Sequence, residues 1–528
     1  MTDALVGTRQ LFRLVLRRDR IRLPIWVLGI VGIVYASVGA VRTAYSAPEQ
    51  IAGYAETLGN SPAAIAMAGP PYALDTLGGV VINEIGFTAL VGVALMTVFL
   101  VVRHTRAEEE QGRTEVLRST VVGRHAGLAA ALLEVVLGSV LVGLGVVGSM
   151  LSLDLAVADS VLYGAAVACF GVLMAGVASV TAQLTEHARG AVGMALGILG
   201  LAFLLRAVGD VQRSWVSWTS PMGWSQQVHA FGEPRWWPLL VSVSFTVLAV
   251  AGAVALATRR DLGAGIVPAR PGPGGATDRL GSPVGLAFRL QRGALLGWAV
   301  GLFIGAAAYG SFSREVADMV RSNPELADFF ARTGGNVVES FLASALLIMN
   351  LIGTGFATSS ALRLRAEETS GRLEPVLATG VSRTRWLLSG MLVTALGTLV
   401  MVAVIGLGLG LAQAIVTGDP GAVGRMLGYS LTYLPAVLVL SALVVLLFGW
   451  LPRLVGLAWA AMAVFFLIGY FADLFDFPAW VRDVSPFTHT PLVPAQDASL
   501  LPVSALALVV VLLVAVAASG FRRRDVTP

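Results

Sequence analysis

Residues 83–102 read NEIGFTALVGVALMTVFLVV, and residues 103–115, which follow, read RHTRAEEEQGRTE. The first stretch carries a single charged residue, Glu84, and about 20 apolar residues are enough to cross a bilayer as a helix. The second stretch is dense in charge, which is expensive to place in hydrocarbon. The chain therefore passes from membrane to water at residue 103, and the same alternation recurs along its whole length.

The composition predicts an all-α membrane protein with twelve transmembrane helices. Of the 528 residues, 56% are hydrophobic and 13% are charged, about half the charged fraction of a soluble domain. That balance excludes an ordinary soluble enzyme and a nucleic-acid-wrapping chain. The predicted spans lie near 23–42, 83–102, 126–151, 157–182, 190–208, 237–257, 291–310, 340–362, 386–416, 427–450, 454–471 and 499–519.

The arginines predict that both termini are cytoplasmic. All 36 basic residues are arginine, and 27 of them fall on the same side as the N-terminus when twelve spans are threaded, against nine on the other side. Basic residues are enriched in cytoplasmic loops. The residues around Leu5 to Arg20 mix leucine, valine and phenylalanine with arginine, which predicts a helix lying on the inner leaflet.

An internal repeat divides the chain into two homologous six-helix halves. The segment RAEEEQGRTE at 106–115 recurs as RAEETSGRLE at 365–374, with seven of ten positions identical. Further matches keep the same order along the chain: Arg17, Arg20, Trp26 and Gly29 recur as Arg289, Arg292, Trp298 and Gly301. The predicted organisation is a first half over 1–258, a cytoplasmic Pro/Gly-rich linker over 259–285, and a second half over 286–528.

The repeated charged segments, about 103–125 and 363–385, are the strongest functional candidates. Each places Glu four residues before Arg, Glu109 before Arg113 and Glu368 before Arg372, which favours an i,i+4 ion pair on a helix. Orienting a span needs only positive charge, whereas these segments also repeat their acidic residues. We therefore interpret them as two equivalent docking surfaces for a cytoplasmic partner, and expect reversal of Glu109 and Glu368 to Arg to abolish coupling without affecting folding.

The residues of the two charged segments resemble a pattern found in a known family of membrane proteins. The pattern Arg-Ala-Glu-Glu-x-x-Gly-Arg-x-Glu after the second span of each half resembles the coupling segment of ABC type-2 exporter permeases. The whole chain is similar to the double-length actinobacterial polyketide-antibiotic or tetronasin-type efflux permeases. The resemblance implies export of hydrophobic or amphipathic compounds, driven by two copies of a separate ATPase that carries ATP and Mg. It assigns coupling roles to Arg106, Glu108, Glu109, Gly112, Arg113, Glu115, Arg365, Glu367, Glu368, Gly371, Arg372 and Glu374.

The residue types predict a transport subunit with no catalytic site, cofactor or metal of its own. A P-loop requires a lysine on the phosphates, and the chain has none. The five histidines show no metal-ligand spacing, and Cys169 is the single cysteine. We expect a multi-pass protein of the bacterial plasma membrane whose partners are lipid, substrate and ATPase but not nucleic acid. The alternative is a twelve-span secondary transporter of the major-facilitator type, driven by an ion gradient.

Polar residues inside the predicted spans are candidates for the substrate pathway, because burying them is costly. Glu134 in span 3 is the principal one, as a group that recognises a cationic substrate or closes an inner gate. Asn350 in span 8 is the second, and an interhelical hydrogen bond is the simpler interpretation for it. We expect Arg206, Glu84 and Glu339, near span ends, to reach the interface instead.

Overall fold

A computed structural model describes residues 2–45, 47–59, 61–268, 274–314, 316–317, 337–471, 477–496 and 499–526 of the chain. Within these residues all regular elements are helices, which confirms the all-α class. Eleven described helices are long and apolar enough to cross a membrane. Part of the predicted linker, 269–273, and residues 318–336, between the seventh and eighth predicted spans, lie outside the described residues.

The chain divides into two compact units, Met1–Gly272 and Pro273–Pro528. The helices of the first unit are α1 (Thr8–Arg18), α2 (Arg22–Ala44), α3 (Pro48–Leu58), α4 (Pro62–Ala68), α5 (Leu77–His104), α6 (Arg106–Glu110), α7 (Arg113–Arg118), α8 (Ala126–Leu151), α9 (Val157–Leu184), α10 (Ala188–Val211), α11 (Pro221–Gln226) and α12 (Trp237–Thr258). Six of them, α2, α5, α8, α9, α10 and α12, coincide with the six predicted spans of the first half.

Helix α9 forms the centre of the first unit, because it packs against α5, α8, α10 and α12. Close packing with α8 depends on two glycines. A methyl group placed on Gly143 would lie 2.6 Å from the carbonyl oxygen of Gly164, and one on Gly164 would lie 2.7 Å from that of Gly143. Small residues let membrane helices approach at the backbone, as they do here.

Replacing Gly164 with Leu is expected to destabilise the first unit by about 1–3 kcal/mol, the usual penalty for overfilling a packed core. The backbone of α8 has to move away, since no side chain separates the two glycines. A lower melting temperature in detergent measures the effect. Gly252 in α12, where an added methyl group meets no atom within 4 Å, is the matched control, and an equal loss in Gly252→Leu would contradict the argument.

Helix α1 covers the predicted cytoplasmic end of α8. It is the amphipathic helix expected at Leu5 to Arg20, and its apolar side is buried at Leu11 and Val15. These side chains pack against Ala126 and Ala130 of α8. The apolar side of α1 is therefore occupied by protein, and its arginines are left on the other sides of the helix.

The second unit contains α13 (Pro283–Ser311), α14 (Val337–Thr369), α15 (Leu373–Ala378), α16 (Arg383–Thr417), α17 (Gly421–Leu431), α18 (Leu434–Trp450), α19 (Leu457–Phe471), α20 (Ala479–Arg482) and α21 (Leu500–Arg523). Helix α13 packs along α16, and α18 packs between α14 and α21. Here a single helix, α13, spans the stretch that corresponds to α1 and α2.

The predicted span at 454–471 is shorter than the others. Its described helix, α19, has 15 residues, below the roughly 20 that cross a bilayer untilted. Pro452 and Gly456 lie in the turns that precede it. The other five predicted spans of this half lie within helices of 24 residues or more, counting Gly421–Trp450 as one span.

Candidate functional site

The first charged segment is fastened to the end of the last helix of its unit. Helix α5 ends at His104, and the short helix α6 begins at Arg106. In α6, Glu109 accepts a hydrogen bond from Arg106 at 2.5 Å and two from Arg260, at 2.7 and 2.8 Å. Arg260 follows α12. Two parallel bonds between a guanidinium and a carboxylate are the strongest geometry for such a pair. We call Arg106, Glu109 and Arg260 the first clasp.

The two arginines of the first clasp also donate hydrogen bonds to neighbouring segments. The Arg106 side chain is almost fully buried, and its Nη2 donates to the carbonyl oxygens of Gly263 and Ala264 at 3.3 and 2.7 Å. Arg260 Nε donates to the side-chain oxygen of Gln183, on α9, at 2.8 Å. The clasp therefore joins α6, α9 and the residues that follow α12.

Gly112 determines which way the segment continues. It adopts φ +72°, a left-handed conformation that glycine takes without strain, and it separates α6 from α7. The predicted pair between Glu109 and Arg113 is therefore wrong, because the two residues do not share one helix. Arg113 instead donates to Glu108 at 3.1 Å, and Arg18 of α1 donates to the same oxygen at 2.8 Å. The hydrogen bond to Glu108 raises the pKa of the Arg18 guanidinium.

The second charged segment contains the same arrangement. Glu368 accepts a hydrogen bond from Arg365 at 2.7 Å and two from Arg524, at 2.6 and 2.9 Å. Arg524 follows α21, the last helix of its unit, and its guanidinium lies over the rings of Phe448 and Phe521. We call Arg365, Glu368 and Arg524 the second clasp.

The turn of the second segment also repeats that of the first. Gly371 adopts φ +69°, and Arg372 donates to Glu367 at 3.0 Å. The predicted pair between Glu368 and Arg372 is wrong for the same reason as in the first segment. Two stretches of similar sequence thus form the same set of contacts, one in each of the two compact units.

These contacts divide the predicted coupling residues into two groups. The clasp carboxylates are buried and paired with arginines of their own unit. The side chain of Glu109 is 10% exposed and that of Glu368 is 0% exposed. Four charged residues remain on the surface, namely Arg113, Glu115, Arg372 and Glu374. Reversing Glu109 or Glu368 is therefore expected to disturb folding, contrary to the expectation from sequence, because Glu109 pairs with the buried Arg106 and Glu368 is itself fully buried between Arg365 and Arg524.

Glu134 lies in a buried polar cluster. Its side chain is fully enclosed, and its nearest ion partner is His104 Nε2, 3.3 Å from Glu134 Oε2. The same imidazole nitrogen lies 2.6 Å from Asp19 Oδ2. The sequence placed Glu134 alone in a span. The structure surrounds it with groups from α5 and from the turn before α2.

Asn350 joins two helices of the second unit. Its amide nitrogen donates to Leu346 of its own helix at 2.9 Å and to the Ser430 hydroxyl of α17 at 3.4 Å. Ser430 in turn donates to Val402 of α16 at 2.7 Å. These contacts support the interhelical interpretation rather than a substrate-facing one.

Arg206 does not reach the membrane interface as expected. Its side chain is fully buried and donates to the carbonyl oxygens at 65, 66 and 67, at the end of α4, at 3.4, 2.6 and 3.1 Å. Asp210 lies 3.6 Å away. A guanidinium offers five donors, which suits the last carbonyls of a helix, and of these three only the oxygen at 65 also accepts from the Gly69 N–H, at 3.0 Å. Arg206 therefore fixes α4 to α10.

The two glutamates at the ends of predicted spans, Glu84 and Glu339, lie in different surroundings. Glu84 accepts a hydrogen bond from the hydroxyl of Tyr54, on α3, at 2.6 Å. It thus links α3 to α5 while Glu84 itself remains exposed. Burial raises the pKa of the Tyr54 hydroxyl, so it remains a donor to this carboxylate. Glu339 is half-buried in the first turn of α14.

Sequence reasoning missed the residues that complete these sites. Arg260 and Arg524 were counted only as charges that orient the chain. The available signal was that each half carries an arginine within a few residues of the end of its last helix. Asp19 and His104 carried no such signal, because they are 85 residues apart and neither belongs to a recognisable motif.

Comparison with known proteins finds similarity along the whole chain. The family described as "Multidrug efflux system permease Rv1217c, C-terminal domain" matches residues 9–257 and 280–522. The multidrug efflux system permease protein Rv1217c of Mycobacterium tuberculosis is 40% identical over 526 residues, which cover 98% of this chain and 95% of that relative. The residues matched by the family include both charged segments, whereas Arg260 and Arg524 lie just outside the matched ranges.

Proposed function

The chain belongs to the multidrug efflux permease family, and from that premise we propose that it is the membrane subunit of an ATP-driven exporter of hydrophobic or amphipathic compounds. It is a multi-pass permease of the bacterial plasma membrane. A separate ATPase, with its own ATP and Mg, supplies the energy, and two copies of it contact one permease chain.

The repeated clasp carries this proposal. Each charged segment sits between the second and third spans of its unit and is tied by a two-fold hydrogen-bonded pair to the end of that unit's last helix. A movement of α7 or α15 is therefore transmitted to the spans next to the segment and to the last helix of the unit, because the clasp connects them. Two such segments, equivalent in sequence and contacts, support two equivalent partner subunits.

The exposed residues supply the contact surface for the partner. Glu115 and Glu374 occupy the same position in the repeat, and each follows an exposed arginine, Arg113 or Arg372. Val116 is 70% exposed next to Glu115, which leaves an apolar side chain for a partner to cover. Such coupling requires a rigid unit that has two alternative positions. Nucleotide on the ATPase and drug on the permease each favour one of these positions over the other.

Reversing both exposed glutamates is the test of this proposal. The double variant Glu115→Arg/Glu374→Arg is expected to reduce drug-stimulated ATP hydrolysis by about tenfold or more, because charge reversal opposes the partner at both contacts. The measurement uses the full chain in lipid nanodiscs with its ATPase and a panel of hydrophobic drugs. Folded yield should not change, since both side chains are exposed.

The matched control reverses two exposed glutamates away from the segments, in Glu56→Arg/Glu233→Arg. This control should keep wild-type stimulation. Wild-type stimulation in the Glu115→Arg/Glu374→Arg variant would remove the coupling assignment. Drug movement driven by a proton gradient alone, with no ATPase bound, would replace the proposal with an ion-driven carrier.

A further inference from the structure

Three titratable side chains from distant parts of the sequence meet inside the first unit. Asp19 lies in the turn between α1 and α2, His104 ends α5, and Glu134 projects from α8. One carboxylate oxygen of each acid and the imidazole Nε2 all lie within 4.8 Å of one another. All three residues are buried, and neither clasp includes any of them. We call Asp19, His104 and Glu134 the triad.

Some buried oxygen atoms of the triad have no hydrogen-bond partner within the described residues. Glu134 is 0% exposed, and neither of its oxygens has a hydrogen-bond partner. Asp19 uses its Oδ1 for ion pairs with Arg103, at 3.3 Å, and Arg22, at 3.9 Å, which leaves Oδ2 directed at His104. A buried carboxylate without a partner is costly, so the Glu134 side of the triad calls for a positively charged ligand.

In the second unit, the positions that correspond to Asp19 and Glu134 hold uncharged residues. The repeat aligns Asp19 with Gln291, and Glu134 with Val393 or Thr394. There, Ser360 bonds to both the Gln291 side-chain oxygen and the Thr394 hydroxyl, the latter at 2.7 Å. A neutral, hydrogen-bonded group is therefore enough to join these helices. The two acids of the first unit need a different reason.

We propose that the triad binds a divalent transition-metal ion, for which Zn²⁺ is the representative. One imidazole nitrogen and two carboxylate oxygens are ligands that Zn²⁺ accepts, with the remaining position left for water. Bonds of about 2.0–2.2 Å place neighbouring ligand atoms about 3 to 3.5 Å apart.

The geometry of the triad is close to this requirement. The imidazole nitrogen is 3.3 Å from Glu134, already in range, and 2.6 Å from Asp19, which has to move less than an ångström away from the imidazole. The two carboxylate oxygens lie within 4.8 Å of each other, so the acids approach one another when the ion binds. Arg103 contacts the other oxygen of Asp19 and holds the carboxylate from outside, as partners of metal-ligating carboxylates commonly do.

Metal content of the purified chain tests the proposal. The full chain, purified in detergent on a histidine-free affinity tag, is stripped with chelator, dialysed against Zn²⁺ and desalted before elemental analysis. We expect about one Zn²⁺ per chain, and at least tenfold weaker binding in Glu134→Gln, which keeps the shape of the side chain. His187→Gln, which removes an exposed histidine, is the control and should bind as the wild type does.

A second variant and a second measurement guard against loss of folding. Glu134→Thr installs the residue type of Thr394 in the second unit, where it forms a stable hydrogen bond. Zn²⁺ should raise the melting temperature of the wild type, because a ligand that binds only the folded state stabilises it, and should leave that of Glu134→Thr unchanged.

Zinc well below one equivalent in the wild type, or undiminished in Glu134→Gln, would overturn the proposal. An infrared band of a protonated carboxyl that disappears in Glu134→Gln, without zinc binding, would also overturn it and assign a proton to the triad instead. Neither readout depends on transport or on an ATPase. A failure here is therefore distinguishable from a failure of the proposed function.

Discussion

Replacing Glu368 with Arg is expected to abolish accumulation of folded protein, not only its coupling to a partner. The Glu368 side chain is fully buried between Arg365 and Arg524, so the substitution places three guanidinium groups together. Removing one partner of a buried ion pair costs about 3–5 kcal/mol. That loss is a large part of the about 5–15 kcal/mol by which proteins are stable. The yield of monodisperse protein after detergent extraction, together with its melting temperature, measures the effect.

Two further variants separate this outcome from a general intolerance of charge. Glu374→Arg lies six residues away on the same segment but is exposed, so it should keep the folded yield. The exchange Glu368→Arg/Arg524→Glu restores opposite charges and should recover part of the stability. Wild-type yield and melting temperature in Glu368→Arg would show that the second clasp is not structural. The same comparison applies to Glu109→Arg, with Glu115→Arg as its exposed counterpart.

Replacing Arg206 with Met is expected to release α4 from α10 and to lower the melting temperature by a comparable amount. The substitution keeps the bulk of the side chain but leaves the carbonyl oxygens at 66 and 67 without their donor, whereas the oxygen at 65 keeps the Gly69 N–H. An unsatisfied buried polar group costs about 1–3 kcal/mol, and Asp210 also loses its cation. Thermal unfolding, with limited proteolysis of the stretch from 59 to 76, detects both consequences.

The choice of control follows from exposure. Arg42 lies in the last turn of α2 and is exposed, so Arg42→Met should retain the wild-type melting temperature. Arg206→Lys keeps the charge but lacks the planar fork that reaches several carbonyls, and it should fall between the wild type and Arg206→Met. A melting temperature unchanged in Arg206→Met would contradict the role assigned to this residue.

The sequence predicted the membrane helices well because the signal for them is local. Eleven of the twelve predicted spans coincide with described helices that are long and apolar enough to cross a membrane. Transfer of apolar residues from water depends on a window of about 20 residues, not on distant neighbours. The shorter helix α19 is the exception, and it follows a turn that contains Pro452 and Gly456.

The sequence also located the charged segments but assigned their pairs incorrectly. It expected Glu109 to contact Arg113 on a continuous helix, and the left-handed turn at Gly112 prevents that contact. Arg260, 151 residues further along, takes the place of Arg113. Spacing rules such as i,i+4 apply only while one helix continues, so they cannot find a partner that a second helix delivers.

What the sequence determined by itself is therefore the class of protein, the position of eleven of its twelve predicted spans, and the repeat that marks two similar charged segments. The tertiary structure decided which of the segment residues are buried in clasps and which remain exposed, and it brought Asp19, His104 and Glu134 to one point. The physical reason is the range of each interaction. Hydrophobic transfer and helix formation act over neighbouring residues, whereas buried ion pairs and ligand clusters depend on how separate helices pack.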